Sequence, residues 1–396
     1  MRTRPPLPDS PFLVVGLARS GIGAAYMLAP FGEVIGVDSG RPDVEPAFEA
    51  HLESDGLDLL ERVRTVVKSP GVPQEAPVIQ AARARGIPVI GELEVAWRLL
   101  PNPFIAVTGT NGKTTTIELI GAIYRAAGLP VAVAGNVGTA LSSLVGEVED
   151  DATIVCECSS FQLEDTDQFA PECAVLLNLE EDHLDRHGTF EAYREAKMRI
   201  FANQTEDDVA IKPPAPKTLD ADQVRLRGPH NLENAEFAAA AARAMGVPEE
   251  AIAEGLRTFA GVRHRLEEVA ERDGVLYVND SKATNVASAI VGIEAFEGGV
   301  HAILGGSLKG GGFAGLRSPL AERAKAAYLI GDAADRLAAD LQDTVPLHRS
   351  GTLEQALADA RANAEPGDVI LLSPACASYD QFKDYEERGD TFRRLA

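Results

Sequence analysis

Short apolar and β-branched runs alternate with stretches of helical period over the first hundred residues. Phe12–Val15, Glu33–Val37, Val63–Val67 and Pro88–Ile90 read as strands with helices between them, and that alternation predicts a parallel sheet with helices packed on it. Pro101-Asn-Pro103 breaks the rhythm and a new strand begins over Phe104–Thr108, which places a domain boundary there. The βα pattern resumes with strands near Phe104, Pro130, Thr153 and Ala174. Helices are expected after Lys113, over Phe190–Phe201, and from Asn231 through the alanine-rich 237–244. The tract 210–227 has prolines and no period, and reads as a loop or a pair of short strands. A third unit starts near Val262, with strands at Val275–Asn279, Val300–Leu304, Ala327–Ile330 and Val369–Leu372. The pattern therefore predicts an α/β protein of three domains, over 1–101, 102–262 and 263–396.

A chain of 396 residues with 45% hydrophobic side chains suits roughly two to four domains at ~150 residues each. The apolar run 12–15 is too short for a signal-peptide core, and no stretch approaches the ~18 apolar residues of a membrane span. The expected location is the cytoplasm. Cys156, Cys158, Cys173 and Cys376 form no metal-spaced C-x-x-C pair and are too few for a disulfide framework, so they read as reduced core residues. The formal net charge of −23 opposes binding to nucleic acid or an anionic membrane. An anionic ligand must be held by local devices instead, such as helix N-termini, placed cations or metal ions.

The strongest chemical signal is Ile105-Ala-Val-Thr-Gly-Thr-Asn-Gly-Lys-Thr-Thr-Thr116, a strand running into a glycine-containing turn and then a helix. Such a loop aims backbone N–H groups and a helix N-terminus at phosphate oxygens, while Lys113 adds a charge and Thr114 a hydroxyl for magnesium. Val107 stands where the longer phosphate-loop motif has glycine, so the match is to the short form over Gly109–Thr114. Near the start, Gly16-Leu-Ala-Arg-Ser-Gly21 approximates a dinucleotide-binding turn, with Asp38 after the second strand as a candidate ribose ligand. Glu157 interrupts the apolar run 153–158, where a buried carboxylate calls for a cation. His183 and His187 have the i, i+4 spacing of a zinc pair but lack further nearby ligands. Lys197, on its own, reads as a surface lysine of an amphipathic helix. In the third unit, 279–285, 304–313 and 371–382 each follow a strand, where open parallel sheets bind ligands.

Together these residues resemble the Mur ligases along essentially the whole chain. Ser159-Ser-Phe-Gln-Leu-Glu164, Asp280-Ser-Lys-Ala-Thr-Asn285 and Ser373-Pro-Ala-Cys-Ala-Ser-Tyr-Asp-Gln-Phe382 are similar to the D-glutamate-adding branch. The resemblance implies a Rossmann-like UDP-binding N-terminal domain, a central P-loop-type ATPase domain with a mostly parallel sheet, and a Rossmann-like C-terminal amino-acid domain. It implies a monomer that uses ATP as co-substrate and two Mg2+ ions to join D-glutamate to UDP-N-acetylmuramoyl-L-alanine. Gly109, Thr110, Asn111, Gly112, Lys113, Thr114 and Thr115 would hold the phosphates, with Asn234 at adenine, Arg265 at the γ-phosphate and Asp280 at the ribose. Thr114 and Glu157 would hold one magnesium, His183 and a carbamylated Lys197 the other. The catalytic set would be Lys113, His183 and Lys197. Arg19, Ser20, Asp38, Ser69, Gly71 and Asn136 would bind the UDP substrate, and Thr284, Lys309, Ser378 and Tyr385 would surround D-glutamate.

Three positions depart from that pattern: Ser307 replaces an acidic residue before Lys309, Tyr385 replaces phenylalanine, and 207–227 is short. Competing readings are a nicotinamide-dependent dehydrogenase built on the first glycine turn, a catalytically inactive relative, and a sister Mur or folylpolyglutamate-type ligase that takes another amino acid.

Overall fold

The computed structural model describes residues 3–42, 47–226, 228–308 and 312–396. They form two compact units, Met1–Val224 with His230–Thr258, and Arg225–Pro229 with Phe259–Ala396.

The first unit contains two parallel sheets. In the first, β1 (Phe12–Val15), β2 (Val34–Asp38), β3 (Glu49–Leu52), β4 (Thr65–Lys68) and β5 (Val89–Gly91) lie in the order β3-β2-β1-β4-β5, with β1 paired to both β2 and β4. Helices α1 (Arg19–Leu28) and α2 (Glu92–Leu99) follow β1 and β5. In the second sheet, β6 (Phe104–Thr108), β7 (Val131–Gly135), β8 (Thr153–Glu157), β9 (Cys173–Leu176) and β10 (Val209–Ile211) run in the order β10-β9-β6-β8-β7. Its helices include α3 (Lys113–Ala126), α4 (Ser160–Leu163), α5 (Leu184–His187), α6 (Phe190–Met198) and α7 (Pro229–Ala244). Phe12, Trp97, Phe104 and Phe169 belong to one buried cluster that both sheets share. Trp97 meets Phe169 edge-on at 5.7 Å between centroids, and the Arg4 guanidinium lies 4.7 Å over the Trp97 ring while bonding Glu172.

The second unit is one sheet of β11 (Glu267–Arg272), β12 (Val275–Asn279), β13 (Val300–Gly305), β14 (Ala324–Ile330), β15 (Leu347–Gly351) and β16 (Val369–Leu372), ordered β11-β12-β16-β13-β14-β15. All its pairings are parallel except that β11 runs antiparallel to β12. Helices α8 (Val286–Glu294) and α9 (Tyr385–Leu395) lie among its connections. Both faces carry a buried core, with Val278, Leu304, Leu371 and Phe313 in one and Ile303, Ile370, Leu372, Tyr328 and Phe392 in the other. Among the described residues, no helix is long and apolar enough to cross a membrane.

Candidate active site

The phosphate-type loop connects the central strand β6 to α3. Gly112 has φ +85°, and a Cβ there would sit 2.2 Å from Asn234 Oδ1, so glycine is required both for the left-handed turn and for the approach of α7. Lys113 Nζ curls back and donates to the carbonyls of Gly109 and Thr110, both at 2.9 Å. Lys197 Nζ, from α6, donates to the same Gly109 carbonyl at 2.8 Å. Two amino groups thus meet at one oxygen. Thr110 Oγ1 and the Tyr193 hydroxyl share a 3.0 Å hydrogen bond, while Asn111 N donates to Asn178 Oδ1 at 2.8 Å. Thr114 and Thr115 are buried in the first turn of α3.

Glu157 ends β8 in register with Val107 of β6, which brings its carboxylate beside the loop. It is 1% exposed and accepts from Thr114 Oγ1 at 2.7 Å and from Asn136 Nδ2 at 3.1 Å. The buried carboxylate at a strand end, as its place in an apolar run foretold, is therefore satisfied by a hydroxyl and an amide.

Lys197 is 2% exposed, which differs from the surface lysine that its helix pattern alone suggests. Its Nζ lies 4.7 Å over the Tyr193 ring. Burial first, and then the neighbouring Lys113 charge, bring its pKa down to about 7, against an opposing pull from Asp182. His183 takes the left-handed conformation at φ 51° at the head of α5 and stands 4.9 Å from Phe161 and 6.4 Å from Tyr193, ring to ring. His187 turns instead to Ser160 Oγ at 3.0 Å, and the two histidine rings flank Phe161.

The first glycine turn is equally tight. A Cβ on Gly21 would fall 1.8 Å from the Gly16 carbonyl oxygen. Asp38 accepts from Leu17 N at 2.7 Å and from Gly40 N at 2.8 Å, and Ser69 Oγ donates to Gly16 O at 2.9 Å. Arg19 reaches Gly138 O at 2.7 Å. The buried Glu92 carboxylate has its pKa pushed up by burial and is bonded to Ser142 and Ser20. The loop after β7, which carries Asn136, is thereby tied to the N-terminus of α1. Gly71 is exposed in the turn after β4.

In the second unit, the loops after β12, β16 and β13 leave three neighbouring strands at the same end. They are joined by Arg388 of α9, which is 0% exposed. Its guanidinium donates to Ser281 Oγ and O at 2.9 Å, Cys376 O and Ala377 O at 3.1 Å, and Gly305 O at 3.5 Å. Sequence reading missed this residue, because a charge in a polar helix carries no sign that it points inward. Ser378 is buried, Thr284 half-buried, and Tyr385 begins α9, with its carbonyl accepting from Ser281 Oγ at 2.7 Å. Lys309 lies outside the described residues.

Asp280 is buried, accepts from Ser373 Oγ at 2.7 Å and Leu266 N at 3.2 Å, and has its pKa raised by burial to about 7 in spite of Arg265. An unfolded carboxyl titrates at 3.8. Between about pH 4 and 7 the unfolded state therefore sheds a proton that the folded state keeps, so this group's stabilising contribution is full below pH ~4 and lost as pH rises to 7. Asp280→Asn is expected to abolish that slope: wild-type stability relative to the variant should fall between pH 4 and 7 and then level off. Parallel denaturant curves across that range would refute the raised pKa.

Comparison with known proteins places the chain. A model described as the Mur ligase middle domain matches residues 107–221, and one described as the Mur ligase, glutamate ligase domain matches 264–376. A protein from Acidobacterium capsulatum named UDP-N-acetylmuramoylalanine–D-glutamate ligase is 42% identical, over 97% of this chain and 95% of its own. One of the same name from Anaeromyxobacter dehalogenans is 41% identical, over 99% and 98%. The chain belongs to the Mur ligase family. Among solved structures, the Thermotoga maritima UDP-N-acetylmuramate–alanine ligase is 19% identical at TM-score 0.58, covering 97% of this chain and 98% of its own. The Thermotoga maritima MurF ligase in complex with ADP also gives 0.58 at 18% identity, over 97% and 94%. Both share the fold.

For a Mur ligase, the donor set around Glu157 can be tested for magnesium. The Thr114 hydroxyl and Glu157 carboxylate, hydrogen-bonded to each other beside the phosphate loop, are hard oxygen donors of the kind this ion takes, with its remaining positions suited to phosphate and water. They fit. His183 and an unmodified lysine offer only nitrogen and do not make such a set by themselves. Among the described residues no group of three His, Cys, Asp or Glu side chains is arranged to cage a metal. In this Mur ligase Ser307 Oγ donates to Asp380 Oδ1 at 3.2 Å and accepts from Asp380 N at 2.8 Å, so an acidic side chain from the loop after β16 sits beside the position where the family pattern has its own.

Proposed function

We propose that this Mur ligase joins D-glutamate to UDP-N-acetylmuramoyl-L-alanine, converting ATP to ADP and phosphate, in the synthesis of peptidoglycan precursor. The observation that carries this reading is the convergence of Lys113 and Lys197 on the Gly109 carbonyl beside the Thr114–Glu157 pair. It occurs in a chain whose relatives at about 40% identity, matched nearly end to end, bear the D-glutamate ligase name.

A carboxylate is a poor acyl donor until a phosphoryl group gives it a leaving group. The substrate carboxylate takes the γ-phosphoryl of ATP, releasing ADP, and the resulting acyl phosphate is attacked by the amine of D-glutamate, which expels phosphate and loses a proton. Residues 109–115 cradle the phosphates with backbone N–H groups, and Lys113 offsets charge on the phosphoryl group in transfer. Two magnesium ions, one at Thr114 and Glu157 and one at His183 and a carbamylated Lys197, would supply electrostatic stabilisation of the phosphates. Asn234, Arg265 and Asp280 complete the ATP set. The UDP substrate is assigned to Arg19, Ser20, Asp38, Ser69, Gly71 and Asn136, and D-glutamate to Thr284, Lys309, Ser378 and Tyr385. This reading divides the roles among domains at 1–101, 102–262 and 263–396 and places the enzyme in the cytoplasm as a monomer.

The test is phosphate release from Mg-ATP with UDP-N-acetylmuramoyl-L-alanine, comparing D-glutamate with L-glutamate, D-alanine and diaminopimelate. D-glutamate is expected to lead by at least ~100-fold, as a site that hydrogen-bonds its substrate discriminates strongly. Comparable rates with diaminopimelate or D-alanine would reassign the chain to a sister activity.

A further inference from the structure

The turn Ser69-Pro-Gly-Val72 after β4 is held from two sides. Ser69 fastens it to the first glycine turn through Gly16 O. On the other side, Arg186 Nη2, from α5, donates to Val72 O at 2.8 Å, Pro70 O at 3.4 Å and Glu164 Oε1 at 2.5 Å. Lys68, which is 0% exposed, donates to the same Val72 carbonyl at 2.8 Å and pairs with Asp165 Oδ2 at 2.7 Å. The guanidinium of Arg186 lies 5.1 Å over Phe161, so both its charge and its flat face are engaged.

The helix that carries Arg186 has four residues, too few to hold its place through its own hydrogen bonds. Its position is set by what its side chains grip. One of them, His187, meets the Tyr193 ring at 5.4 Å, and Tyr193 reaches Thr110 of the phosphate loop at 3.0 Å. The head of the same helix is His183, whose carbonyl accepts from Arg186 N and His187 N at 3.0 Å. An unbroken chain of contacts thus runs from the 69–72 turn to α5, and through Tyr193 to the phosphate loop. All these groups lie in the first compact unit.

We propose that Arg186 is a positioning residue that couples the 69–72 turn to the phosphate loop, so that the UDP-linked substrate and the nucleoside triphosphate each tighten the binding of the other. The inference rests on the assignment of that turn to the UDP substrate. Arginine suits the role because its Nη2 reaches all three acceptors while its flat guanidinium lies over the Phe161 ring, a combination that a lysine ammonium does not reproduce. The coupling must also be reciprocal.

Isothermal titration calorimetry on the full chain tests it. UDP-N-acetylmuramoyl-L-alanine is titrated with and without the magnesium complex of a non-hydrolysable ATP analogue, and the ratio of the two dissociation constants is the readout. In the wild type the analogue is expected to tighten binding about fivefold or more, in the usual range of site-to-site coupling. In Arg186→Lys the ratio should fall to within about twofold of one, with thermal unfolding confirming a folded protein. Glu164→Gln, which loosens Arg186 without removing it, should lower the ratio part-way and serves as the decisive variant if Arg186→Lys does not fold. A wild-type ratio of one, or a ratio unchanged in the folded variants, overturns the coupling while leaving the substrate assignment intact. A wild type that binds no UDP substrate overturns the proposed function and the coupling together.

Discussion

Lys113→Ala is expected to reduce ATP-dependent ligation by at least ~100-fold while the melting temperature stays within a few degrees of wild type. Removing one group that stabilises charge in a transition state typically costs about 100- to 1,000-fold in rate, and that is the role proposed for Lys113. Little stability is at risk, since its amino group bonds the carbonyls of buried Gly109 and half-buried Thr110, and the Gly109 carbonyl keeps its bond from Lys197 when Lys113 is removed. The measurement is phosphate release with saturating substrates, alongside a thermal melt. Turnover within about tenfold of wild type in a folded variant would remove Lys113 from the transfer step.

Lys197→Ala is expected to lose activity to a similar extent, and to recover part of it in the presence of acetate. At 2% exposed and with its pKa brought down to about 7, the amine is far more readily neutral than an ordinary lysine, and only the neutral form can attack carbon dioxide. The attack forms an N–C bond, releases a proton and replaces a cation with an anion. Oxygen ligands of that kind suit a hard metal ion where an ammonium would repel it. Wild-type protein in labelled bicarbonate should give a carbon-13 carbamate signal that Lys197→Ala lacks. No label in the wild type, with full activity in the variant, would leave Lys197 as a buried structural lysine.

The central strands were legible because their apolar runs are uninterrupted: β1, β6, β12 and β16 fall where the pattern put them. Strands β3 and β15 were not, because they are edge strands whose residues are largely exposed or half-buried, so no apolar run marks them. The antiparallel β11, with the sequence Glu-Glu-Val-Ala-Glu-Arg, was hidden by its charges for the same reason. At the site, Glu157 could be read because a carboxylate inside an apolar strand stands out. Lys68 and Arg388 could not, since each is buried by tertiary packing that local sequence does not encode. His183 and Lys197 were individually ordinary, and only the resemblance to the Mur ligases singled them out. Their joint setting around Tyr193 comes from the packing of α5 on α6.

Arg388 has a consequence for the electrical landscape of the second unit. Among the described residues its hydrogen-bond partners are carbonyl groups and one hydroxyl, with no carboxylate bonded to it, and burial lowers its pKa only to about 10, so it stays charged at neutral pH. A cation surrounded by dipoles keeps most of its field, whereas the exposed acids that give the chain its formal −23 are screened by salt over ~10 Å. The ends of β12, β16 and β13 thus hold a buried positive charge built into the scaffold, with the Asp380 carboxylate of the loop after β16 close enough to act on it, in a protein whose formal net charge is −23.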